Sequence, residues 1–288
     1  MSNNLYDADI FKSIKDISLI SWLYTKSLVK SFTRDSHFES INKYCMFIGY
    51  SKSGKTFLSS LLDAHPHIVF ANELPVLRYV DIGFNRLQIF NLILENSRIF
   101  TEAGRSSRGY SYQVHNQWQG RFNQQIKVIG DNKGEDTTLR LRGRLWMLQR
   151  LHNTIGLNIK FIHFIRNPFD NISYMAMVKK SKLNLEQCIY YYFGLCETML
   201  TIKDVIDSND LFEIRYDSLV DNPRYYLENI CQFLGLNAPD DYLDDCTSIV
   251  FEHPVKSRYD VNWSQDLIDL VHNKIKKISF LEGYTYSN

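Results

Sequence analysis

Residues 49 to 56 read Gly49-Tyr-Ser-Lys52-Ser53-Gly54-Lys55-Thr56, which satisfies the phosphate-binding pattern G-x-x-x-x-G-K-[ST] in full. Glycines let a turn wrap successive backbone N–H groups round an anion, a helix start adds the positive end of its dipole, and lysines supply charge. The octet follows an apolar run, Tyr44 to Ile48, and precedes an apolar-periodic stretch, Phe57 to Leu62, so strand, loop and helix come in the order this cradle needs. Taken alone, the pattern suits a magnesium-dependent kinase or nucleoside triphosphatase, with Lys55 on the outer phosphates and Thr56 on the metal. Asp131, closing Ile126-Lys-Val-Ile-Gly-Asp131, is the carboxylate such a site would use. A second anion site is readable downstream, where the apolar run Lys160-Phe-Ile-His-Phe-Ile165 leads into Arg166-Asn-Pro-Phe-Asp170-Asn-Ile-Ser173. A strand ending in aspartate would suit magnesium; this one ends in a guanidinium followed by a helix start, with Pro168 early in that helix. Arginine and serine at a helix N-terminus make an anion clamp.

Three segments in order resemble one family. Tyr-Ser-Lys52-Ser53-Gly54-Lys55-Thr56-Phe57 resembles the 5′-phosphosulfate loop Y-P-K-S-G-T-T-W of sulfotransferases that use 3′-phosphoadenylyl sulfate (PAPS), and the Arg166 segment resembles their 3′-phosphate motif R-x-P-x-x-x-x-x-S. Ser173 falls seven rather than eight residues after Arg166. Phe212-Glu-Ile-Arg-Tyr216-Asp-Ser-Leu219-Val-Asp-Asn-Pro223, continuing to Phe233-Leu234-Gly235-Leu236, resembles the family's Y-E-D-L-x-x-x-P and F-L-G-L stretches. Leu61-Leu-Asp-Ala-His65-Pro66 is similar to the L-L-D-A-H-P of tyrosylprotein and carbohydrate sulfotransferases. The likeness spans roughly Cys45 to Trp263.

The resemblance implies a P-loop NTPase-like three-layer α/β fold and sulfuryl transfer from PAPS to a hydroxyl acceptor, by in-line displacement and without a required metal. It places Lys52 on the bridging oxygen, where charge grows as the sulfur–oxygen bond breaks, and Ser53, Gly54, Lys55, Thr56 and Phe57 on the 5′-phosphate. Arg166 and Ser173 would read the 3′-phosphate, Tyr216 would lie against the adenine, and Lys256 and Arg258 would close over the 3′ end. Lys133 falls where the family carries a lysine after a strand. Glu73 falls on the glutamate that follows the second strand and is the expected general base; His115, in a long polar loop, is its rival because histidine titrates near neutrality. His65 is expected to cap or pack. The expected acceptor is a glycan, a tyrosyl group or a small molecule. Arg140, Arg142, Arg144 and Arg150 form a basic island that is by default a solvated face, and that would favour an acidic glycan if it lined the cleft.

The elements that must hold these residues follow from periodicity. Short β-branched and aromatic runs at Tyr44 to Ile48, Ile68 to Phe70, Ile126 to Ile129, Phe161 to Ile165 and Leu211 to Ile214 alternate with helix-like stretches, which argues for a central parallel sheet flanked by helices. Helices are expected over Lys55 to Ala64, Pro75 to Leu94, Thr138 to His152, Asp170 to Lys180, Leu185 to Ile206, Pro223 to Leu234 and Gln265 to Ile278. Thr101 to Gly120 reads as a long loop with a lid or substrate-binding role. With no repeat or linker visible, residues 41–288 are expected to form one transfer domain and 1–40 a helical appendage.

Composition bounds the rest. The chain has 288 residues, 44% hydrophobic, with 33 Lys+Arg against 32 Asp+Glu, which excludes disorder and leaves no global charge for nucleic acid. The cysteines, Cys45, Cys188, Cys196, Cys231 and Cys246, are odd in number and lack metal-site spacing, so reduced, buried thiols are expected. No basic-then-apolar leader or 20-residue apolar span is present, so a cytoplasmic protein is expected. Residues 9–34 mix apolar positions with Lys12, Lys15, Lys26, Lys30 and Arg34, which suits either a docked helix or contact with a membrane surface. That segment also motivates a third reading, a catalytically silent nucleotide-binding or membrane-associated module.

Overall fold

The structure, a computed structural model, describes residues 18–30, 38–107, 109–121, 125–178 and 183–288. Its centre is a five-stranded, wholly parallel sheet of β1 (Lys43–Ile48), β2 (Ile68–Ala71), β5 (Val128–Asp131), β6 (Asn158–Ile165) and β7 (Leu211–Arg215), in the order β2-β5-β1-β6-β7. Tyr44 of β1 lies opposite Ile129 of β5 and Ile159 of β6. The period-two alternation of strand side chains sends Tyr44, Met46 and Ile48 to one buried cluster, and Cys45 and Phe47 to the other. Both faces of the sheet are therefore covered, which is why β1 reads as a continuous apolar run and why the three-layer expectation holds.

On one side lie α4 (Arg86–Glu102), α6 (Trp146–Ile155), α8 (Leu185–Lys203) and α12 (Gln265–Ile275); on the other lie α2 (Lys55–Asp63), α10 (Pro223–Phe233) and α11 (Asp240–Ser248). Shorter or bridging helices are α3 (Val76–Asp81), α5 (Glu135–Leu141), α7 (Pro168–Met177) and α9 (Tyr216–Asp221). Two predicted helices are each broken in two. Pro75 to Leu94 stops before Gly83 and restarts where Asn85 and Gln88 form a capping box for α4. Thr138 to His152 starts earlier, at Glu135, and breaks at Gly143, whose φ of 68° no helix continues through. The strand expected from Ile126 begins two residues later, at Val128. The helices α9 and α11 have no counterpart in the sequence reading, α9 because it is only six residues long and α11 because its stripe, Tyr242, Leu243 and Cys246, is buried in an otherwise acidic segment.

The expected loop from Thr101 is partly regular. After α4 ends, a small hairpin pairs β3 (Ser106–Ser107) with β4 (Tyr110–Ser111). It is rooted by a buried ion pair between Arg105 and Asp63, and Gln119 ties its far end by donating to the Ser60 and Tyr112 carbonyls at 2.8 and 2.9 Å.

A helix, α1, covers 18–30. Its Lys26 and Lys30 both pair with Glu95 of α4, and Gln88 donates to the Tyr24 carbonyl at 3.1 Å, so it is docked on the domain. Lys12, Lys15 and Arg34 lie outside the described residues. Among the described residues no helix is long and apolar enough to cross a membrane.

Candidate active site

The loop between β1 and α2 is held open by its backbone. Gly54 has φ of 95°, and a Cβ there would lie 3.1 Å from Phe164 and 3.2 Å from Tyr216, so this position needs glycine for both conformation and space. Lys52 sits in the left-handed region at φ 66°, an uncommon state for a side-chain-bearing residue. Phe57 and Leu58 donate their N–H groups to the Gly54 carbonyl at 2.9 and 3.2 Å. The N–H groups of Ser53, Gly54, Lys55 and Thr56 have no acceptor among the described residues, as expected at a helix start. Lys52, Gly54, Lys55, Thr56 and Phe57 line one cavity of about 710 Å³. Ser53 is buried with its hydroxyl on the Tyr50 carbonyl at 3.4 Å, so only its backbone is on offer. The Lys52 ammonium lies 5.8 Å from the Tyr174 ring and has no carboxylate partner among the described residues.

Arg166, just past β6, forms the opposite corner. It is 6% exposed; its Nη1 donates to the Lys52 carbonyl at 3.2 Å and its Nη2 to the Val255 carbonyl at 2.6 Å and to Ser257 Oγ at 3.1 Å. The Nε–H is buried without an acceptor among the described residues. The guanidinium also lies 5.2 Å from the ring of Tyr216, which lines the same cavity.

Ser173 is not there: its fully buried Oγ accepts a hydrogen bond from Trp263 Nε1 at 2.9 Å. One residue on, a helix has turned by about 100°, and Tyr174, eight positions after Arg166, lines the cavity instead. Arg258 also fails to reach it. That side chain is fully buried, its Nη2 lies 3.3 Å from Asp170, and its backbone N–H donates to the same carboxylate at 2.9 Å, so it fastens the C-terminal segment to α7. Lys256 is exposed outside the cavity wall, to which this segment contributes Val255 and Phe251.

At the carboxyl end of β2, Glu73 lines the cavity in the left-handed region, φ 56°, with its N–H donated to Asn132 Oδ1 at 2.6 Å. Its carboxylate bridges Lys55 and Lys133, the latter at 2.9 Å. Burial alone would raise this carboxyl, but the two ammonium groups outweigh it and hold Glu73 below the ordinary carboxylate range. His115 is exposed on its loop, outside the cavity, so the rival base is not brought to the site. Asp131, the carboxylate needed for the magnesium reading, is fully buried and accepts a hydrogen bond from Tyr44 at 2.6 Å; burial pushes it up to about 7. Thus β5 turns its terminal carboxylate into the core and presents Lys133 to the cavity.

Several wall residues were missed by the sequence reading: Tyr110 and Tyr112 from the hairpin, Tyr174, and Tyr191 from a stretch read as core. Tyr191 donates to Glu135 at 2.8 Å, at the start of α5. Only its flanks signal it, because helical spacing leaves Tyr190 exposed while Tyr192 and Phe193 are buried. The basic island does not line the cleft: Arg140 pairs with Asp136 and Arg144 with Asp81, while Arg142 donates to Thr198 and Gly194. His65 packs as expected, 1% exposed, with Nε2 on the Asn237 carbonyl at 2.9 Å and burial lowering it to about 4. All five cysteines are buried thiols that take part in no disulfide among the described residues.

Compared with known proteins, residues 46–240 match the family model described as "Sulfotransferase family". No curated protein matches the chain. Similar solved structures include the sulfotransferase domain of the Synechococcus olefin synthase, at 17% identity over 81% of this chain and 94% of that one, TM-score 0.49. A sulfotransferase from Alicyclobacillus acidocaldarius is 16% identical over 84% of this chain and 95% of that one, TM-score 0.47. A mouse sulfotransferase complexed with PAP is 13% identical over 79% and 71%, TM-score 0.40.

Proposed function

The chain belongs to the sulfotransferase family, and from that premise we propose that residues 41–288 move a sulfuryl group from PAPS to a hydroxyl acceptor. The observation that carries this reading is the joint between the two anion-binding corners. Arg166 Nη1 donates to the carbonyl of Lys52, and both residues face one cavity, so a strand-end guanidinium and the phosphate loop can hold opposite ends of one doubly phosphorylated adenosine. The uncommitted N–H groups of residues 53–56 suit the 5′-phosphate, and the orphaned Arg166 Nε–H suits an anion at the 3′ end. Tyr216 would take the adenine, and Tyr174 would stand in for Ser173 with its own hydroxyl.

Sulfuryl transfer gains most from positioning and from charge placed where it develops. Lys52, with no carboxylate partner among the described residues, would meet the charge growing on the leaving bridging oxygen. The donor's sulfur–oxygen bond breaks, the acceptor oxygen bonds to sulfur, and the acceptor's proton passes to Glu73, a carboxylate that enters the reaction ionised. In the half of the cavity over β2 and β5, Glu73, Glu135 and Asp136 outnumber Lys55 and Lys133 beside Tyr191, which favours an uncharged sugar or phenolic hydroxyl resting on tyrosine over an anionic acceptor. Calorimetry tests the donor. Metal-independent binding of adenosine 3′,5′-bisphosphate, tighter than that of ATP with magnesium, is expected; the reverse preference would reject the reading in favour of a kinase. Glu73→Gln should suppress turnover at least about 10²-fold, the usual contribution of a general base, with bisphosphate affinity nearly unchanged.

A further inference from the structure

Lys55 stands in two places at once. By sequence it opens α2, among the N–H groups that face the cavity, yet its ammonium is turned onto the carboxylate of Glu73 just past the end of β2, two strands along the sheet from β1. Its stem reaches there past Gly134, where a Cβ would lie 3.0 Å from Lys55 Cδ, so the glycine keeps that path clear. Glu73 has a second cation, Lys133, and a backbone fixed by its hydrogen bond to Asn132, so losing Lys55 would not release the carboxylate from its position.

We propose that Lys55 is a donor-responsive positioning residue: with the phosphate cradle empty it neutralises Glu73, and a phosphate arriving in the cradle draws the ammonium away, leaving Glu73 on Lys133 alone with greater affinity for the acceptor's proton. The inference rests on the reading above, that the cradle binds the donor's 5′-phosphate and that Glu73 is the base. Electrostatics sets the direction. A dianionic phosphate competes with a single carboxylate for one ammonium group, and the phosphate is also held by the helix start. Removing one of two adjacent cations raises a carboxylate's proton affinity. The consequence is an order of events: Glu73 becomes a competent base only after the donor is seated, so an acceptor that enters first is not deprotonated. The other charged groups facing this part of the cavity are Lys52 from the loop, Glu135 and Asp136 from α5 and Arg166 from the end of β6, with Asp131 buried behind. The readout must therefore belong to Glu73 itself.

The test is the side-chain carboxyl carbon resonance of Glu73 in the full chain labelled with 13C-glutamate, assigned by its loss in Glu73→Gln and followed against pH. In the free protein the acid midpoint should lie below the ordinary glutamate value, and saturating adenosine 3′,5′-bisphosphate should move it to higher pH. In Lys55→Thr, which supplies a hydroxyl for the phosphate and removes the ammonium, the free protein should already show the higher midpoint, and the bisphosphate should shift it little. A side chain with only a structural role would leave the midpoint unmoved by the ligand. Bisphosphate that binds, by its own calorimetric signal, without moving the midpoint would overturn the switch and leave the donor reading intact. No binding at all would overturn both.

Discussion

Replacing Arg166 by alanine separates the two ends of the donor. In the structure three of the five N–H donors of the guanidinium are spent on the protein, on the Lys52 carbonyl, the Val255 carbonyl and Ser257 Oγ. The bond to Lys52 braces the phosphate loop, and its loss weakens any ligand of that loop by roughly 1 kcal/mol, about fivefold. The remaining donors, the orphaned Nε–H among them, are available to a 3′-phosphate. Hydrogen bonds to a charged group are worth about 1.5–3 kcal/mol, so losing this contact should remove about 3 kcal/mol more, a further factor of about 10². Adenosine 5′-phosphate should therefore bind Arg166→Ala about fivefold more weakly than wild type, and adenosine 3′,5′-bisphosphate about 500-fold more weakly. Calorimetry at one fixed ionic strength gives both constants, and a thermal melt shows that the variant is folded. Equal losses for the two nucleotides would refute the assignment, because they would mean that Arg166 only holds the loop to the C-terminal segment.

Lys52→Ala, which removes a loop ammonium that has no carboxylate partner among the described residues, should cut turnover by about 10²–10³, the scale for losing a donor at developing charge, with no change in melting temperature; a variant retaining most of its activity would take Lys52 out of the mechanism. Asp131 is held at about 7 by burial, so the folded protein keeps a proton that the unfolded chain releases, and the stability from this group falls as pH rises from its ordinary value through about 7. Asp131→Asn should be stabilised relative to wild type increasingly between about pH 4 and 7, with no further change above that, and parallel melting curves across that range would contradict it. Arg105→Ala leaves Asp63 with Phe70 N–H and Ser97 but no cation at a fully buried site. Stranding that charge should cost about 3–5 kcal/mol and lower Tm by roughly 10 °C; a drop of a degree or two would show that the carboxyl simply protonates.

Chemistry carried by residues adjacent in the chain is legible in the sequence itself. The octet at Gly49 to Thr56 declares its own conformation, since two glycines, a lysine pair and a helix start within eight residues leave few alternatives to an anion cradle. Arg166 at the end of an apolar run is readable for the same reason, and the alternating runs announce a covered parallel sheet. Where a side chain points is another matter. Ser173 and Tyr174 differ by one step of a helix, and only packing against Trp263 decides which of them faces the core. Arg258 and Asp131 carry charges that would serve a site, yet Asp170 and Tyr44, far away in sequence, claim them. The tyrosines of the wall come from a hairpin and two helices that no local pattern joins to the loop, and the pairing of Lys55 with Glu73 depends on the ends of β1 and β2 being brought to the same edge of the sheet with β5 between them. Local sequence thus determined the chemical groups and the turns that present them. Tertiary packing decided which of those groups share a cavity, because burial, charge pairing and helix rotation are settled by neighbours distant along the chain.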